Sequence, residues 1–237
     1  MLNNIYDMGL RCLGDVVLIG ISLLSADFSC LKEELERIEC GGADFLHLDI
    51  MDGNFSPGFI TFGPGIIKKM RPHTGLSFDV HLMVHRPDLY ICLLKDAGVS
   101  SIGIHPSSDG NFLKTLRCIK DVGCEAGVVF SPDEEYKDLP REAWDVIDFV
   151  NIMTVYPKME KQDFLRDRLF MISAVRKAFC DIRPDRRIRV IVDGGITDST
   201  ALLCVQHDID AVIVGGFAFS SFPYKIAIDK IRKACAF

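Results

Sequence analysis

The amino-acid sequence predicts an α/β protein built as a single (β/α)8 TIM barrel with a short N-terminal extension. Three observations carry this prediction. Eight short apolar runs recur along the chain, with helix-length amphipathic stretches between them. The runs are rich in Val, Ile, Leu or Phe without clean polar alternation, which is how strands buried on both faces read. The length of 237 residues suits one α/β barrel domain. An open, doubly wound sheet is the alternative. Against it, no G-x-G-x-x-G follows the first strand.

Taken in order, residues 1–15 form the extension and residues 16–237 the barrel domain. Strands are expected at 17–22, 45–50, 77–83, 101–105, 125–130, 149–154, 188–192 and 211–214. After the first strand, Leu31, Leu35 and Ile38 keep one apolar helical face, with Glu33, Glu34 and Arg37 off it. Leu113, Leu116 and Ile119 keep the same spacing, as do Leu169, Ile172 and Val175. Gly41, Gly42 and Gly98 fit helix C-caps, and A-D-F, D-A-G-V-S and Q-H-D-I-D-A segments precede strands. Eight parallel units with right-handed crossovers close naturally into a barrel. No linker, internal repeat or low-complexity segment interrupts the pattern.

Composition narrows the function. Hydrophobic content of 49% and charged content of 25% are those of a globular domain. A net charge of −6 argues against nucleic acid as a partner, which would need a basic face. The apolar run at 16–24 is too short for a membrane span and lacks a cleavage-like tail, so neither a membrane nor secretion is expected. The nine cysteines are odd in number and contain no C-x-x-C pair. They read as reduced, small apolar residues of a cytoplasmic protein.

In such barrels the chemistry sits at the C-terminal ends of the strands, and the polar residues gather there. Ser22 is placed at the end of strand 1, His47 and Asp49 at the end of strand 2, and His81 at the end of strand 3. His105 ends strand 4 and Asp193 ends strand 7. His47 and Asp49 are two apart and share a face of the strand. A buried imidazole and a buried carboxylate side by side need a common partner, and a cation is the natural one. With His81 and Asp193 they make an N2O2 set for one divalent ion, zinc or iron ahead of manganese or cobalt. For His105 a satisfied core histidine and a site residue are equally open. Gly194-Gly195 after strand 7 and Gly215-Gly216 after strand 8 suit a phosphate-binding backbone. Met51, Met83 and Met153 stand at or just past strand ends. They either fill core gaps or form an apolar lid over a reacting carbon.

These residues lie in I-S-L-L-S-A-D-F (21–28), H-L-D-I-M-D-G-N-F (47–55), D-V-H-L-M-V (79–84) and V-D-G-G-I (192–196). M-T-V (153–155) with Pro157, and V-G-G-F-A-F (214–219), are weaker signals. In these motifs, and in their order, the chain resembles the ribulose-phosphate 3-epimerases, which include the allulose-6-phosphate 3-epimerases. The resemblance runs from about residue 17 to the end. It implies a (β/α)8 barrel isomerase of carbohydrate metabolism that epimerises C3 of a ketose phosphate, D-ribulose 5-phosphate first. It implies a divalent metal on His47, Asp49, His81 and Asp193, with Asp49 and Asp193 as the acid–base pair acting through an enediolate. It further implies substrate contacts at Ser22, His81, Met51, Gly194, Gly195 and Gly216, a methionine cap, and a homo-oligomer.

The chain departs from that pattern in three places. The family's sixth loop, N-P-G-F-G-G-Q-x-F, is here Y-P-K-M-E-K-Q-D-F (156–164), with Lys158, Glu160 and Lys161 in place of the glycines. Gly216 is followed by Phe217 where the family has serine. His105 opens H-P-S where the family has H-x-E. All three leave the quartet intact and bear on how the far end of the substrate is held. Alternatives are therefore allulose 6-phosphate, an unphosphorylated ketose, or a catalytically weak regulatory paralogue. A decarboxylase or aldolase-type barrel would want a lysine near Asp49, and none is there.

Overall fold

The computed structural model describes residues 16–108, 111–156 and 163–236. The extension 1–15 and the loop residues Pro157, Lys158, Glu160, Lys161 and Gln162 lie outside the described residues. Eight parallel strands close into a barrel in sequence order. They are β1 (Leu18–Ser22), β2 (Phe45–Met51), β3 (Ser77–Met83), β4 (Ser101–Ile104), β5 (Glu125–Phe130), β6 (Phe149–Met153), β7 (Arg189–Asp193) and β8 (Ala211–Val214). The helices that follow them are α1 (Leu31–Cys40), α2 (Pro64–Met70), α3 (Ile91–Asp96), α4 (Phe112–Asp121), α5 (Arg141–Trp144), α6 (Phe170–Ile182), α7 (Asp198–Cys204) and α8 (Lys225–Ala234).

Side chains alternate across each strand, and the two faces have different jobs. Leu46, Leu48 and Ile50 of β2, with Val80 and Leu82 of β3, join the main apolar core against the helices. Ile172, Val175 and Phe179 of α6 and Ile228 and Ile231 of α8 belong to the same core. The alternate residues fill the barrel. Its floor is a separate apolar cluster of Phe45, Phe149, Ile191, Ala211 and Ile213. Below it, Arg189 and Glu125 form a two-pronged ion pair at 2.9 and 2.6 Å.

Two phenyl rings fit inside so narrow a barrel because the strands beside them carry glycine. Phe45 pairs in register with Gly20, and Phe149 with Gly127. A Cβ at Gly127 would stand 2.1 Å from the Phe149 ring, and one at Gly20 would stand 2.3 Å from that of Phe45. The apolar floor and the polar layer above it are thus fixed by the same β register.

The turns into β2, β6 and β8 share one device. Asp44, Asp148 and Asp210 each precede a strand and accept a backbone N–H from the preceding odd-numbered strand. The donors are Ile19, Ala126 and Val190, at 2.7, 2.9 and 2.7 Å. The A-D-F and I-D-A segments are therefore strand-entry clamps. Two expectations need correction. Glu34, read as off the apolar face of α1, is buried. Its carboxylate accepts from the Tyr224 hydroxyl at 2.8 Å and from Arg37 at 2.6 Å, which is how it tolerates the interior. Strand β2 also runs one residue past its expected end at Ile50, to Met51, whereas β3 spans 77–83 as expected. Thr61 extends β2. Its hydroxyl donates to the Asp49 carbonyl and accepts from the Met51 N–H, at 2.7 and 3.0 Å.

Candidate active site

One layer below the rim, on the inward face of β2, stand His47 and Asp49. Asp79 and His81 stand beside them on β3, in register as His47 with Asp79 and Asp49 with His81. Asp193 arrives from the end of β7. His47, Asp49 and His81 are buried, and Asp193 is partly exposed. One ligand-type atom from each of His47, Asp49, His81 and Asp193 lies within 4.8 Å of the other three. Four of the separations run around a ring. His47 Nε2 is 3.4 Å from Asp49 Oδ1 and 3.5 Å from Asp193 Oδ2. His81 Nδ1 is 3.2 and 3.9 Å from the same two oxygens.

These distances suit a cation. Donors at about 2.1 Å from one ion stand roughly 3.0–3.4 Å apart, close to the four separations. His47 Nε2 is buried without a hydrogen-bond partner, and its other nitrogen is already engaged. Nδ1 is 2.7 Å from Asp79 Oδ2, whose second oxygen accepts from the Ser101 hydroxyl at 2.5 Å. A carboxylate can only accept, so Nδ1 carries a proton, and Nε2 is the nitrogen that would give a lone pair to a cation between Asp49 and Asp193. Ser22 donates to Asp49 Oδ2 at 2.6 Å, leaving Oδ1 facing the two imidazoles.

The electrostatics follow from burial and crowding. Burial opposes charge on His47, yet the Asp49, Asp193 and Asp79 carboxylates override it and hold its pKa well above the ordinary value. Burial alone would raise Asp49, but His47 and His81 hold it well below the carboxylate range. His47 thus attracts positive charge, and a cation between the carboxylates would satisfy the same demand.

His105 follows β4 and is fully buried. Its Nε2 is 2.7 Å from His81 Nε2, its Nδ1 is 2.9 Å from Glu134 Oε2, and Phe55 lies on its ring at 4.8 Å. His105 is thus buried and hydrogen-bonded on both ring nitrogens, and one of its partners is His81 of the quartet. Burial would raise the Glu134 carboxyl, but its hydrogen bond with His105 and the donors of Ser107 and Ser131 bring it down to about 2.

Ser22 and the quartet come together as expected. Met51, Met83 and Met153 end β2, β3 and β6 and are buried. Gly194 and Gly195 follow β7 with positive φ of 110° and 65°. A Cβ on Gly194 would strike Val155 at 2.4 Å, so the close packing of the β6 and β7 loops requires glycine there. Gly216 lies after β8, near the Ser25 hydroxyl of the loop after β1. Asp79 and Glu134 were missed by the sequence reading. For Asp79 a signal existed, because it lies two residues before His81 and so on the same strand face. Glu134 lies on the loop after β5, far in sequence from the histidine it meets, and had no comparable signal.

Comparison with known proteins agrees with this geometry. The family model described as Ribulose-phosphate 3 epimerase family matches residues 18–219. The chain is 35% identical over 217 residues to Ribulose-phosphate 3-epimerase of Bacillus subtilis (strain 168), covering 92% of this chain and 99% of that protein. It is 34% identical over 221 residues to the Escherichia coli (strain K12) protein of the same name, covering 92% and 96%. With the chloroplastic Ribulose-5-phosphate-3-epimerase of Arabidopsis thaliana the identity is 33% over 218 residues, covering 91% and 76%. Among solved structures, orotidine 5'-phosphate decarboxylase from Pyrococcus horikoshii OT3 superposes with a TM-score of 0.64 at 14% identity, covering 93% and 100%. That likeness shows the barrel alone. The sequence matches and the converging His/Asp site agree, and the chain belongs to the ribulose-phosphate 3-epimerase family of isomerases.

Proposed function

We propose that this protein epimerises C3 of a ketose phosphate, interconverting D-ribulose 5-phosphate and D-xylulose 5-phosphate, with one divalent metal held by His47, Asp49, His81 and Asp193. The observation that carries the reading is the convergence of two carboxylates, from β2 and β7, on one buried pair of imidazoles. The two strands are three places apart around the closed barrel, so the aspartates approach the substrate from different sides. C3 of the ketose lies next to the C2 carbonyl. One aspartate removes its proton to give an enediolate, and the other returns a proton to the opposite face. A bound divalent ion, zinc or iron by the N2O2 donor set, supplies Lewis-acid stabilisation of the negative charge that develops on the substrate's oxygens.

The chain's own residues do the rest. Ser22 holds Asp49 Oδ2 and fixes the plane of that carboxylate. Met51, Met83 and Met153 form an apolar rim that excludes water and strengthens each charge interaction beneath it. The backbone N–H groups at Gly194, Gly195 and Gly216 face the phosphate, and His81 adds a substrate contact beside its metal role. The described cysteines are free, which fits a reducing compartment. Among the described residues no helix is long and apolar enough to cross a membrane.

The test is to measure bound metal in the purified protein and follow C3 proton exchange with ribulose 5-phosphate, allulose 6-phosphate and their unphosphorylated forms. Exchange fastest with ribulose 5-phosphate is expected. No exchange with any ketose at full metal occupancy overturns the reading. Lys158, Glu160 and Lys161 in the sixth loop favour a second reading, in which the ketose is a different one or lacks the phosphate. Faster exchange with another of the four substrates would select it.

A further inference from the structure

His47 and His81 are both candidate ligands, and each must present a bare nitrogen to the site. For His47 the device is direct, since Asp79 accepts from Nδ1 and leaves Nε2 bare. His81 faces the site with Nδ1, 3.2 Å from Asp49 Oδ1 and 3.9 Å from Asp193 Oδ2, so without a cation a proton on Nδ1 would also find an acceptor, and holding the ion requires that proton on Nε2 instead. Among the described residues no carboxylate touches its Nε2. The atom in reach is His105 Nε2 at 2.7 Å. One of these two nitrogens carries the proton, and nothing within the pair says which.

Glu134 decides it. Its Oε2 stands 2.9 Å from His105 Nδ1 and also accepts from the Ser131 N–H and hydroxyl, both at 2.8 Å. Its Oε1 accepts the Ser107 N–H at 3.0 Å. The two Ser131 donors and the Ser107 N–H hold this carboxyl in its ionised form, brought down to about 2, and an ionised carboxylate can only accept. His105 therefore carries its proton on Nδ1 and offers the Nε2 lone pair. His81 then carries its proton on Nε2 and donates it to His105, which leaves Nδ1 bare toward Asp49 and Asp193. Phe55 packs against the His105 ring, tilted by 35° with centroids 4.8 Å apart, and limits how far that ring can turn.

We propose that Glu134 is a positioning residue that sets the tautomer and ring orientation of His81 through His105, acting on the site at second hand as Asp79 acts on His47 directly. The carboxylate comes from the loop after β5. The chain has none two residues after His105, where H-P-S stands, and the Ser107 N–H of that segment instead anchors Glu134. The inference rests on the metal reading of the quartet. It makes the loop after β5 part of the site and assigns His105 the role of a link with fixed polarity.

The experiment uses the full chain loaded with zinc. Zinc affinity is measured by competition with a chromophoric chelator, and ring-nitrogen tautomers are read from long-range proton–nitrogen NMR spectra. In the wild type His81 should carry its proton on Nε2 and His105 on Nδ1. Removing a carboxylate that supports a metal-bound histidine costs roughly 10- to 100-fold in affinity, and E134A is expected to fall in that range. The near-isosteric E134Q turns one of its amide hydrogens on the Ser107 or Ser131 N–H groups. It should lose affinity to a smaller degree and remains the test if E134A does not fold. H105A should match E134A, and the double variant should lose nothing further, because both break one chain. Zinc affinity within twofold of wild type in a folded E134A or E134Q, additive losses in the double variant, or a wild-type His105 protonated on Nε2 would each overturn the relay alone. A wild type that binds no zinc at the quartet would overturn the metal reading and the relay with it.

Discussion

Asp79 offers a sharp test of how the site is built. Among the described residues its side chain hydrogen-bonds to His47 and Ser101, at 2.7 and 2.5 Å, and both contacts are buried. In Asp79→Ala the imidazole Nδ1–H loses its acceptor inside the protein. The ring then gains by moving its proton to Nε2, where Asp49 and Asp193 stand at 3.4 and 3.5 Å. That proton occupies the lone pair meant for the metal. A buried hydrogen bond to a charged group is worth about 1.5–3 kcal/mol, and each 1.4 kcal/mol is tenfold. Metal affinity should therefore fall roughly 10- to 150-fold. Asp79→Asn is a milder change. With its amide oxygen toward His47 it still accepts from Nδ1, and the Ser101 hydroxyl can turn to accept from the amide nitrogen. A neutral acceptor is about half as strong, so a loss on the order of five- to tenfold is expected. The assay is chelator competition for zinc, with C3 exchange of ribulose 5-phosphate measured at saturating metal. An Asp79→Ala protein that melts near the wild-type temperature and binds zinc within twofold of it would refute the tautomer argument. So would an Asp79→Asn protein that is worse than Asp79→Ala.

Three further predictions concern other parts of the molecule. Asp49→Asn and Asp193→Asn each remove one of the two proposed proton carriers, so C3 exchange should fall by at least about 10²- to 10⁴-fold; a folded Asp193→Asn enzyme of full activity would refute the assignment. In Gly127→Ala the new methyl would lie 2.1–2.5 Å from the Phe149 ring, which is itself fully buried in the barrel floor. Such overpacking costs about 1–3 kcal/mol, or roughly 2–12 °C in Tm at this chain length. Phe149→Leu should recover part of the loss, and an unchanged Tm in the single variant would show that the floor is loose. Glu134 titrates at about 2 in the folded protein against 4.5 for the free side chain. Its contribution, on the order of 3 kcal/mol, is present above pH 4.5 and fades as the pH falls toward 2. The stability gap between wild type and Glu134→Gln in urea should therefore be wider at pH 6 than at pH 3, and a gap that stays constant or widens in acid contradicts the hydrogen bonding described for Glu134.

The strands were legible because parallel strands covered on both faces are mostly apolar, and the runs at 126–130 and 211–214 show this most plainly. What composition could not reveal is which alternate residues point into the barrel, since inward and outward faces are both apolar in β8 and in the lower half of β6. Polar residues broke that symmetry in β2 and β3. Once His47 and Asp49 are placed on one face, Phe45 below and Met51 above follow from the two-residue period. By the same period Asp79 was within reach from His81 and was passed over. The extent of β2 was misjudged because its last residues are held by Thr61, a contact across the loop that leaves no mark in the local pattern.

Glu134 belongs to a different order of legibility. A strand repeats every two residues and a helix every 3.6, so a residue on either can be placed from its neighbours. The loop after β5 has no such period. The S-P-D-E-E segment (131–135) looks like a turn with surface acids, and nothing in it distinguishes Glu134 from Asp133 or Glu135. The distinction is made in three dimensions. The Ser131 N–H and hydroxyl turn the Glu134 carboxylate back over its own loop, and the Ser107 N–H catches it from the loop after β4. Two loops on neighbouring strands thus create a half-buried acceptor that neither encodes alone. The quartet could be read from the strands because its four side chains need only the right strand and the right parity. The groups that aim those side chains need loop conformations as well. Where the H-P-S segment lacks a carboxylate of its own, the fold provides one from the next loop, and the ring nitrogen of His81 that faces Asp49 and Asp193 depends on it.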